Sequence, residues 1–437
     1  MSRRRGFPAP ALARAAVRAA AVAALAASLA LAACSDRDHT NPFDPANPKT
    51  GGRPANMRAV AGDGYVTLGW DDMGIEDLAG FEVLRRTEGG DFASLTPAGL
   101  ARGAREYTDR AVEAHTEYGY VLAVSVNGQD EPLLGAEEPA SPGPAYPWVA
   151  DLTSGRAWLV SPDARDLVRS VFVSAQISDM AVVRETGDVW AADYAGNVLV
   201  HLGPSGERKE QPLVAPPGVA AVAVSADGSL VFAGSFDTGA VRGYGPGHAQ
   251  AWEDDSTFTG IEDLAWSESD GSLWVADSGG RVARLDGATG RLLSLRTGFD
   301  RPFALAVFPG GAWLVEAGTS DAVHKLDATG DTVLAVWRGL VAPADVVDDP
   351  EGGCWVADLS GGRVVRLDED LTSIVASVEG LSSPRAVRLD PVTRDVWVAE
   401  QGSGRIARIS SGGDVVARVG GLFSPFALEI AWDPARR

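Results

Sequence analysis

Three aspartates recur at the same point of alternating repeats in the C-terminal two-thirds of the chain. Asp179, Asp263 and Asp345 each stand near the start of a short apolar segment, where the other repeats carry alanine. Carboxylates that converge bind hard cations such as Ca²⁺ or Mg²⁺, or raise one another's pKa. An aspartate at the start of a strand also commonly accepts hydrogen bonds from nearby backbone NH groups. Both a metal site and a structural role are therefore open for these residues.

Other residue types that carry out catalysis are sparse in this region. It contains three histidines, and two of them, His201 and His324, follow Trp190 and Trp313 at the same distance of 11 residues. We interpret them as packing or surface residues of a repeated strand. The sequence has no G-x-S-x-G, P-loop, C-x-x-C or H-E-x-x-H motif. The chemistry-bearing residues thus point to cation binding more than to a nucleophile or a general base.

The elements that must position these residues come from a tryptophan motif, clearest as W-V-A-D, which returns every 42 residues with one step of 39. Its copies begin at Trp148, Trp190, Trp274, Trp313, Trp355 and Trp397, with Phe232 in a degenerate copy. A period of about 40 residues with short strands between turns is typical of a β-propeller. Seven motifs predict seven blades of four strands, with Asp179, Asp263 and Asp345 at one mouth of the central channel.

The residue that closes each motif is acidic in six of the seven copies. These residues are Asp151, Asp193, Asp277, Glu316, Asp358 and Glu400, with Ser235 in the degenerate copy. A residue that recurs in every repeat usually solves a local backbone problem. We therefore expect hydrogen bonds to the following turn or to a nearby arginine, and no ring of metal ligands. Trp158, Trp252 and Trp337 lie outside the motif and are candidates for a functional face.

The two ends of the repeat region predict how the ring closes. Trp148 has no apolar strand before it, whereas residues 424–432 form an apolar strand with no motif after it. The C-terminal strand should therefore complete the blade that begins at Trp148. This pairing would remove the open edges of the first and last sheets.

The start of the chain predicts export and a lipid anchor. Residues 1–33 have five arginines followed by an apolar run that is short for a membrane span, as in a signal peptide. The run ends in Leu31-Ala32-Ala33-Cys34, which resembles the bacterial lipobox. The resemblance implies that Cys34 is acylated and anchors the protein in the cell envelope, at the outer membrane or cell surface. Ser35 gives no indication of inner-membrane retention, and the membrane and leaflet stay open. Residues 34–53 are expected to be a flexible tether.

Residues 54–136 predict a small all-β domain with alternating strands. The segment resembles a fibronectin type III domain in V-T-L-G-W around Trp70, F-E-V-L-R-R from Phe81, and T-E-Y-G-Y around Tyr118. The resemblance implies that Trp70 is a core residue and that Tyr118 forms the tyrosine corner, in which its hydroxyl bonds back to the chain. It also implies a spacer or binding module.

A proline-rich linker, residues 137–147, is expected to separate this domain from the propeller of residues 148–437. The repeats resemble the NHL family and its streptogramin-lyase-like and lactonase-like relatives. The predicted fold class is thus all-β, a fibronectin type III sandwich followed by a seven-bladed β-propeller closed by the C-terminal strand. The resemblance is specific for the fold, because such propellers bind proteins, glycans, RNA or small molecules and some are enzymes.

The negative net charge of the chain argues against one class of function, the binding of nucleic acids. The formal net charge is -21, and the leader contributes only positive charge, so nucleic-acid binding is not expected. We predict a monomeric, lipid-anchored binding protein whose propeller presents a face to a protein or glycan. One alternative is a channel-centred, metal-dependent lyase or hydrolase that uses Asp179, Asp263 and Asp345, and another is a purely structural envelope or adhesion component.

Overall fold

The computed structural model describes residues 57–75, 77–143 and 145–432, and these residues form an all-β structure. No helix among them is long and apolar enough to cross a membrane. The N-terminal part contains β1 (Arg58–Gly62), β2 (Tyr65–Gly69), β3 (Leu78–Thr87), β4 (Ala93–Ser94), β5 (Leu100–Ala101), β6 (Glu106–Asp109), β7 (Tyr118–Val126), β8 (Leu133–Leu134) and β9 (Glu138–Ala140).

The C-terminal part begins with β10 (Ala145–Asp151), β11 (Arg156–Val160), β12 (Leu167–Phe172), β13 (Ile177–Val182), β14 (Val189–Asp193), β15 (Val198–Leu202), β16 (Leu213–Val214), β17 (Val219–Val224), β18 (Val231–Ser235), β19 (Val241–Tyr244), a 3-10 turn (Pro246–His248) and β20 (Gln250–Asp254). It continues with β21 (Ile261–Ser267), β22 (Ser272–Asp277), β23 (Arg281–Asp286), β24 (Leu292–Thr297), β25 (Pro302–Phe308), β26 (Gly311–Glu316), β27 (Ala322–Asp327) and β28 (Val333–Arg338). The last strands are β29 (Pro343–Asp348), β30 (Cys354–Asp358), β31 (Arg363–Leu367), β32 (Ile374–Glu379), β33 (Pro384–Leu389), β34 (Val396–Glu400), β35 (Arg405–Ile409), β36 (Val415–Gly420) and β37 (Pro425–Trp432).

The N-terminal part is a sandwich of two antiparallel sheets. One has the order β1-β2-β6, and the other the order β4-β3-β7-β8, with β5 beside β3 and β9 beside β7. Alternating residues of both sheets share one core, in which Trp70 and Phe81 are in tilted contact, with ring centroids 5.4 Å apart. The buried Tyr118 hydroxyl accepts a hydrogen bond from the Glu113 NH at 2.9 Å. Both aromatic side chains therefore hold the positions that the sequence predicts for them.

The C-terminal part contains seven four-stranded antiparallel sheets in the described residues, consistent with the blades of a β-propeller. The sheets are β12-β11-β10-β37, β13 to β16, β17 to β20, β21 to β24, β25 to β28, β29 to β32 and β33 to β36. Neighbouring first strands contact one another in sequence order, and β37 lies between β13 and β33. The predicted closure is present, because β37 pairs with β10 from Ala145↔Trp432 to Asp151↔Pro425.

The motif residues form the cores between successive sheets. The six motif tryptophans and Phe232 are buried in clusters that combine residues of two neighbouring sheets. Cys354, before the Trp355 motif, is also buried. A fully buried tryptophan contributes several kcal/mol, roughly 3–5 when replaced by alanine. The motif recurs once per sheet because each sheet packs one large aromatic side chain against its neighbour.

The expected linker is shorter in the structure than in the sequence pattern. Residues 138–140 form β9 on the sandwich, and Ala145 to Pro147 already belong to β10. Proline has no NH and is tolerated at sheet edges. Pro139 lies in the edge strand β9, opposite Gly119, and Pro147 lies one residue before the first pair of β10 with β11. Proline content alone therefore overestimates the linker.

Candidate functional site

A cavity of about 510 Å³ with both charged and apolar lining residues lies where the first strands of the seven sheets begin. All seven first strands contribute to its lining, which places it at the centre of the ring. The lining side chains that matter below are Ser178, Asp179, Glu262, Asp263, Arg301, Phe303, Asp345, Arg385, Arg388 and Phe426. Its volume falls within the range of small-ligand sites, about 300–1,000 Å³.

A β-bulge near the start of each first strand allows two adjacent side chains to reach the cavity, as they do in six of the seven strands. In β13 the register shifts between Ile177 and Asp179, and β25 and β33 shift at the same point. A bulge re-aims the extra residue, so two successive side chains can face one side of a strand. Phe303 and Arg385 are these extra residues, and strict alternation would have turned them away from the cavity.

The three predicted aspartates all line the cavity, and each connects two neighbouring first strands. Asp179 Oδ2 accepts the Val222 NH at 2.9 Å, and Asp263 Oδ2 accepts the Leu305 NH at 2.7 Å. Asp345 Oδ2 accepts the NH of Val387 at 2.8 Å, and its Oδ1 accepts the NH of Val346. In each case the aspartate oxygen accepts a hydrogen bond from a backbone NH of the next first strand, and the three donors stand at the same position of their strands. These carboxylates therefore link neighbouring sheets of the ring.

The structure does not bring the three aspartates together as a ligand set. Their oxygens do not form a group within 4.8 Å of one another among the described residues. The reason is the alternation itself, because at least one strand with alanine at this place separates each aspartate from the next around the ring. Ca²⁺ or Mg²⁺ binding by Asp179, Asp263 and Asp345 therefore remains a hypothesis without converged ligands to support it.

Burial and mutual repulsion shift the pKa values of these carboxyl groups. Burial raises the pKa of Asp179 to about 7, against a stabilising hydrogen bond from Val222. Burial and the charge of Asp179 raise the pKa of Asp263 well above its ordinary value. The cavity therefore contains acids that can carry protons near neutral pH, a property that is concentrated at functional sites.

Arg388 offsets part of this negative charge. Its Nη1 lies 2.6 Å from Asp345 Oδ2, and its Nε lies 2.7 Å from Glu429 Oε1. Burial acts to lower the pKa of Arg388, but Asp345 and Glu429 raise it overall, so the guanidinium stays charged. Arg388 therefore forms ion pairs with both Asp345 and Glu429 on this side of the cavity.

The rim carries a stack of arginines and aromatic rings. The Arg385 guanidinium lies 5.0 Å from the ring centre of Phe303 and 4.2 Å from that of Phe426. The Arg301 guanidinium also lies 5.2 Å from the ring centre of Phe303, and its Nε donates a hydrogen bond to Glu262 at 2.8 Å. Cation–π contacts of this kind contribute about 0.5–2 kcal/mol each and fix flat surfaces in place. The sequence did not single out these residues.

The acids that close the tryptophan motif bind local turns, as the sequence predicts. Asp277 Oδ1 accepts NH groups from Gly260 and Gly279 at 3.0 and 3.1 Å, and Asp358 Oδ2 lies 2.9 Å from Arg363 Nε. Trp158, Trp252 and Trp337, the tryptophans outside the motif, are partly buried and pack against the cores between sheets. Their place in a functional face stays a prediction. Cys34 lies outside the described residues.

Comparison with known proteins shows the fold alone. No family model and no curated protein matches the chain. A functionally unknown protein from Desulfotomaculum acetoxidans DSM 771 is similar in structure, with a TM-score of 0.57 and 17% identity over 66% of this chain and 99% of that chain. The hydrazine synthase of Kuenenia stuttgartiensis is similar with a TM-score of 0.53 and 13% identity over 67% of this chain and 93% of that chain. At these identities the similarity supports a β-propeller-like fold and carries no activity across.

Proposed function

We propose that this protein is a lipid-anchored extracytoplasmic binding protein whose cavity rim binds a glycan. In this proposal a fibronectin type III domain, residues 54–136, separates the envelope from a seven-bladed, NHL-like propeller that begins near residue 148. The hydrogen-bonded Tyr118 supports the first assignment, and the pairing of β10 with β37 supports the second. Neither assignment names a ligand, so the argument for binding rests on the rim.

The observation that carries the proposal is the Phe303–Arg385–Phe426 stack. Sugar rings present CH groups that pack on aromatic faces, and their hydroxyls bond guanidinium and carboxylate groups. The rim offers both kinds of group side by side, with Arg301 and Glu262 next to Phe303. In a binding site of this kind a few anchor side chains dominate the affinity. A protein partner is the alternative occupant.

One observation favours the second candidate, a channel-centred, metal-dependent lyase or hydrolase. Asp179 has a pKa of about 7 and lines the cavity, as a general acid or base would. Against it, Asp179, Asp263 and Asp345 are bonded to backbone NH groups and their oxygens do not converge. No histidine or cysteine lines the cavity in the described residues. Binding without turnover is therefore the function that the geometry supports better.

Glycan binding can be tested by calorimetry of the full-length protein with peptidoglycan fragments and with neutral and acidic oligosaccharides. We expect binding to at least one class, and we expect Phe303→Ala and Arg301→Ala each to weaken it about tenfold, because each removes a flat or charged contact. Phe423→Ala is the matched control, since Phe423 is 73% exposed and does not line the cavity. If Phe303→Ala and Arg301→Ala bind the glycan as tightly as the wild type, the rim is not the binding site. Release of a shortened sugar would favour the enzymatic function.

The lipid anchor has its own test. In cells labelled with radioactive palmitate, the wild-type protein should incorporate the label, and Cys34→Ser should abolish it and release the protein from membranes. Two acyl chains at Cys34 would anchor stably, because each buried CH₂ contributes about 0.8 kcal/mol. Cys354→Ser is the control, since Cys354 is buried in the structure. Labelled Cys34→Ser protein would contradict the proposed anchor.

A further inference from the structure

Two histidines and a glutamate from neighbouring sheets meet outside the cavity. His201 lies on β15, Glu210 follows that strand, and His248 ends the 3-10 turn after β19. Glu210 Oε1 lies 2.7 Å from His201 Nδ1 and 2.8 Å from His248 Nδ1. Among the described residues, this is a group of potential metal ligands whose atoms all lie within 4.8 Å of one another.

The outer nitrogens of both rings have acceptors of their own. His201 Nε2 lies 3.1 Å from Oδ2 of the buried Asp188, and His248 Nε2 lies 3.4 Å from the Gly228 carbonyl oxygen. A histidine that donates its Nε2 proton in this way leaves a lone pair on Nδ1. Two such lone pairs then face one carboxylate oxygen of Glu210, and either a proton on each Nδ1 or one metal ion between the three atoms removes the repulsion. A carboxylate or carbonyl behind the ring is the usual companion of a metal-binding histidine.

The surroundings hold the two rings in place. The His201 ring stacks on Trp190 with centroids 4.2 Å apart, and the His248 ring meets Trp190 edge-on at 4.9 Å. His248 has a φ of 59° and follows Gly247 with a φ of 74°. A left-handed backbone is unfavourable for most residues other than glycine and is often retained where it positions a functional side chain. The turn therefore directs His248 toward Glu210 at some conformational cost.

We propose that His201 Nδ1, His248 Nδ1 and Glu210 Oε1 bind a Zn²⁺ ion, with Asp188 orienting His201. Imidazole nitrogens favour zinc and related transition metals over Ca²⁺ or Mg²⁺, which prefer oxygen ligands. Ligands of a tetrahedral zinc lie about 3.3 Å apart, since each bond is about 2.0 Å. The nitrogens and the oxygen are closer than this here, so binding requires a small outward movement of Glu210. The Glu210 side chain is 35% exposed and free to make that movement, and solvent can supply a fourth ligand.

The site is independent of the glycan proposal, because none of its residues lines the central cavity. Its ligands come from the second and third sheets of the ring, so a bound ion would also cross-link these sheets. We therefore expect Zn²⁺ to raise the melting temperature as well as to bind. This second effect distinguishes a built site from loose adsorption to an acidic surface.

The test is Zn²⁺ calorimetry of the full-length protein in detergent after chelator treatment, with metal analysis of the dialysed complex. We expect one Zn²⁺ per chain at micromolar Kd or tighter, and at least a hundredfold loss in His201→Ala and in His248→Ala. Glu210→Gln should weaken binding less severely and leave the fold unchanged. His115→Ala and Glu207→Gln are the controls, because both residues are exposed and lie outside the site.

Substitution of Co²⁺ gives a second measurement. A tetrahedral Co²⁺ site with imidazole ligands should give visible absorption that disappears in His201→Ala. Circular dichroism of the metal-free variants shows whether they are folded. Absence of stoichiometric binding to the wild-type protein, or binding that is equal in folded His201→Ala and His248→Ala, would overturn the proposal. Absence of binding would mean that protons, and no metal ion, lie between the two rings and Glu210. Equal binding by the histidine variants would mean that the metal binds elsewhere.

Discussion

Deletion of residues 424–437 should abolish the cooperative folding of the whole C-terminal ring. β37 supplies the first strand of the sheet that begins at β10, and it packs between β13 and β33. Asp151 also accepts the Phe423 NH at 2.7 Å, and Leu152 donates to the Ser424 carbonyl, beside the junction. Without β37, the β10 edge of the first sheet is open, β13 and β33 lose the strand packed between them, and the cores shared with the first sheet face water. We expect the free energy lost with these buried contacts to be comparable with the free energy of unfolding of a typical domain, about 5–15 kcal/mol.

Thermal unfolding followed by circular dichroism, with solubility at each temperature, measures this effect. We expect the truncated protein to be aggregated or to melt without a cooperative transition. A point substitution separates the closing strand from mere shortening. Leu428→Asp, at a fully buried position of β37, should destabilise the ring by about 3–5 kcal/mol, whereas Phe423→Asp at an exposed position should have little effect. A truncated protein that melts like the wild type would show that the ring does not depend on this pairing.

Asp179→Asn should make the protein more stable than the wild type at pH 8 but not at pH 5. Burial raises the folded-state pKa of Asp179 to about 7, above its ordinary value of 3.8. A group with a raised folded pKa contributes stability that is fully present below its unfolded pKa and is lost as the pH rises through the folded pKa. The wild type therefore loses this contribution as the pH rises from about 4 to 7, and the part lost between pH 5 and pH 8 is the part that the two conditions compare. Asparagine stays neutral and can still accept the Val222 NH.

The expected difference is about 2 kcal/mol more stability for Asp179→Asn, relative to the wild type, at pH 8 than at pH 5. The remaining charged groups of the cavity are common to both proteins, although the pKa of Asp263 should also fall once the Asp179 charge is removed. Urea unfolding at pH 5, 6, 7 and 8 measures the two curves. Asp255→Asn, at an exposed position, controls for the loss of one negative charge. Parallel curves for Asp179→Asn and wild type would contradict a protonated Asp179 in the folded protein.

The repeat explains why so much of the fold could be predicted from sequence. The spacing of Trp148 and its equivalents sets one sheet per period, because each sheet needs one large residue to fill the space against the next. The unpaired apolar strand at residues 424–432 then had one complementary partner, the strand at Trp148. Asp151 and the other motif acids were interpretable for the same reason, since a local turn needs the same acceptor in every repeat.

The candidate sites were harder to predict because their geometry is not local. Asp179, Asp263 and Asp345 were found from their repeat position, but a repeat position does not determine a distance across the ring, and their oxygens do not converge. Phe303 and Arg385 were missed because strict two-residue alternation assigns one side chain of each adjacent pair to the cavity. The bulge at the start of each first strand breaks that alternation and turns both residues inward.

The sequence by itself determined the all-β class, the repeat, the buried tryptophans and the closing strand. These features depend on hydrophobic patterns within short segments and on a motif that recurs at a regular spacing. Only the tertiary structure decided which unlike residues meet. His201 and His248 are 47 positions apart and occupy different places in their repeats, so no spacing rule relates them. Glu210 joins them because neighbouring sheets of the ring bring a strand end and a turn together. Contacts between sheets depend on their packing angle and on individual loops, which a repeat period does not specify.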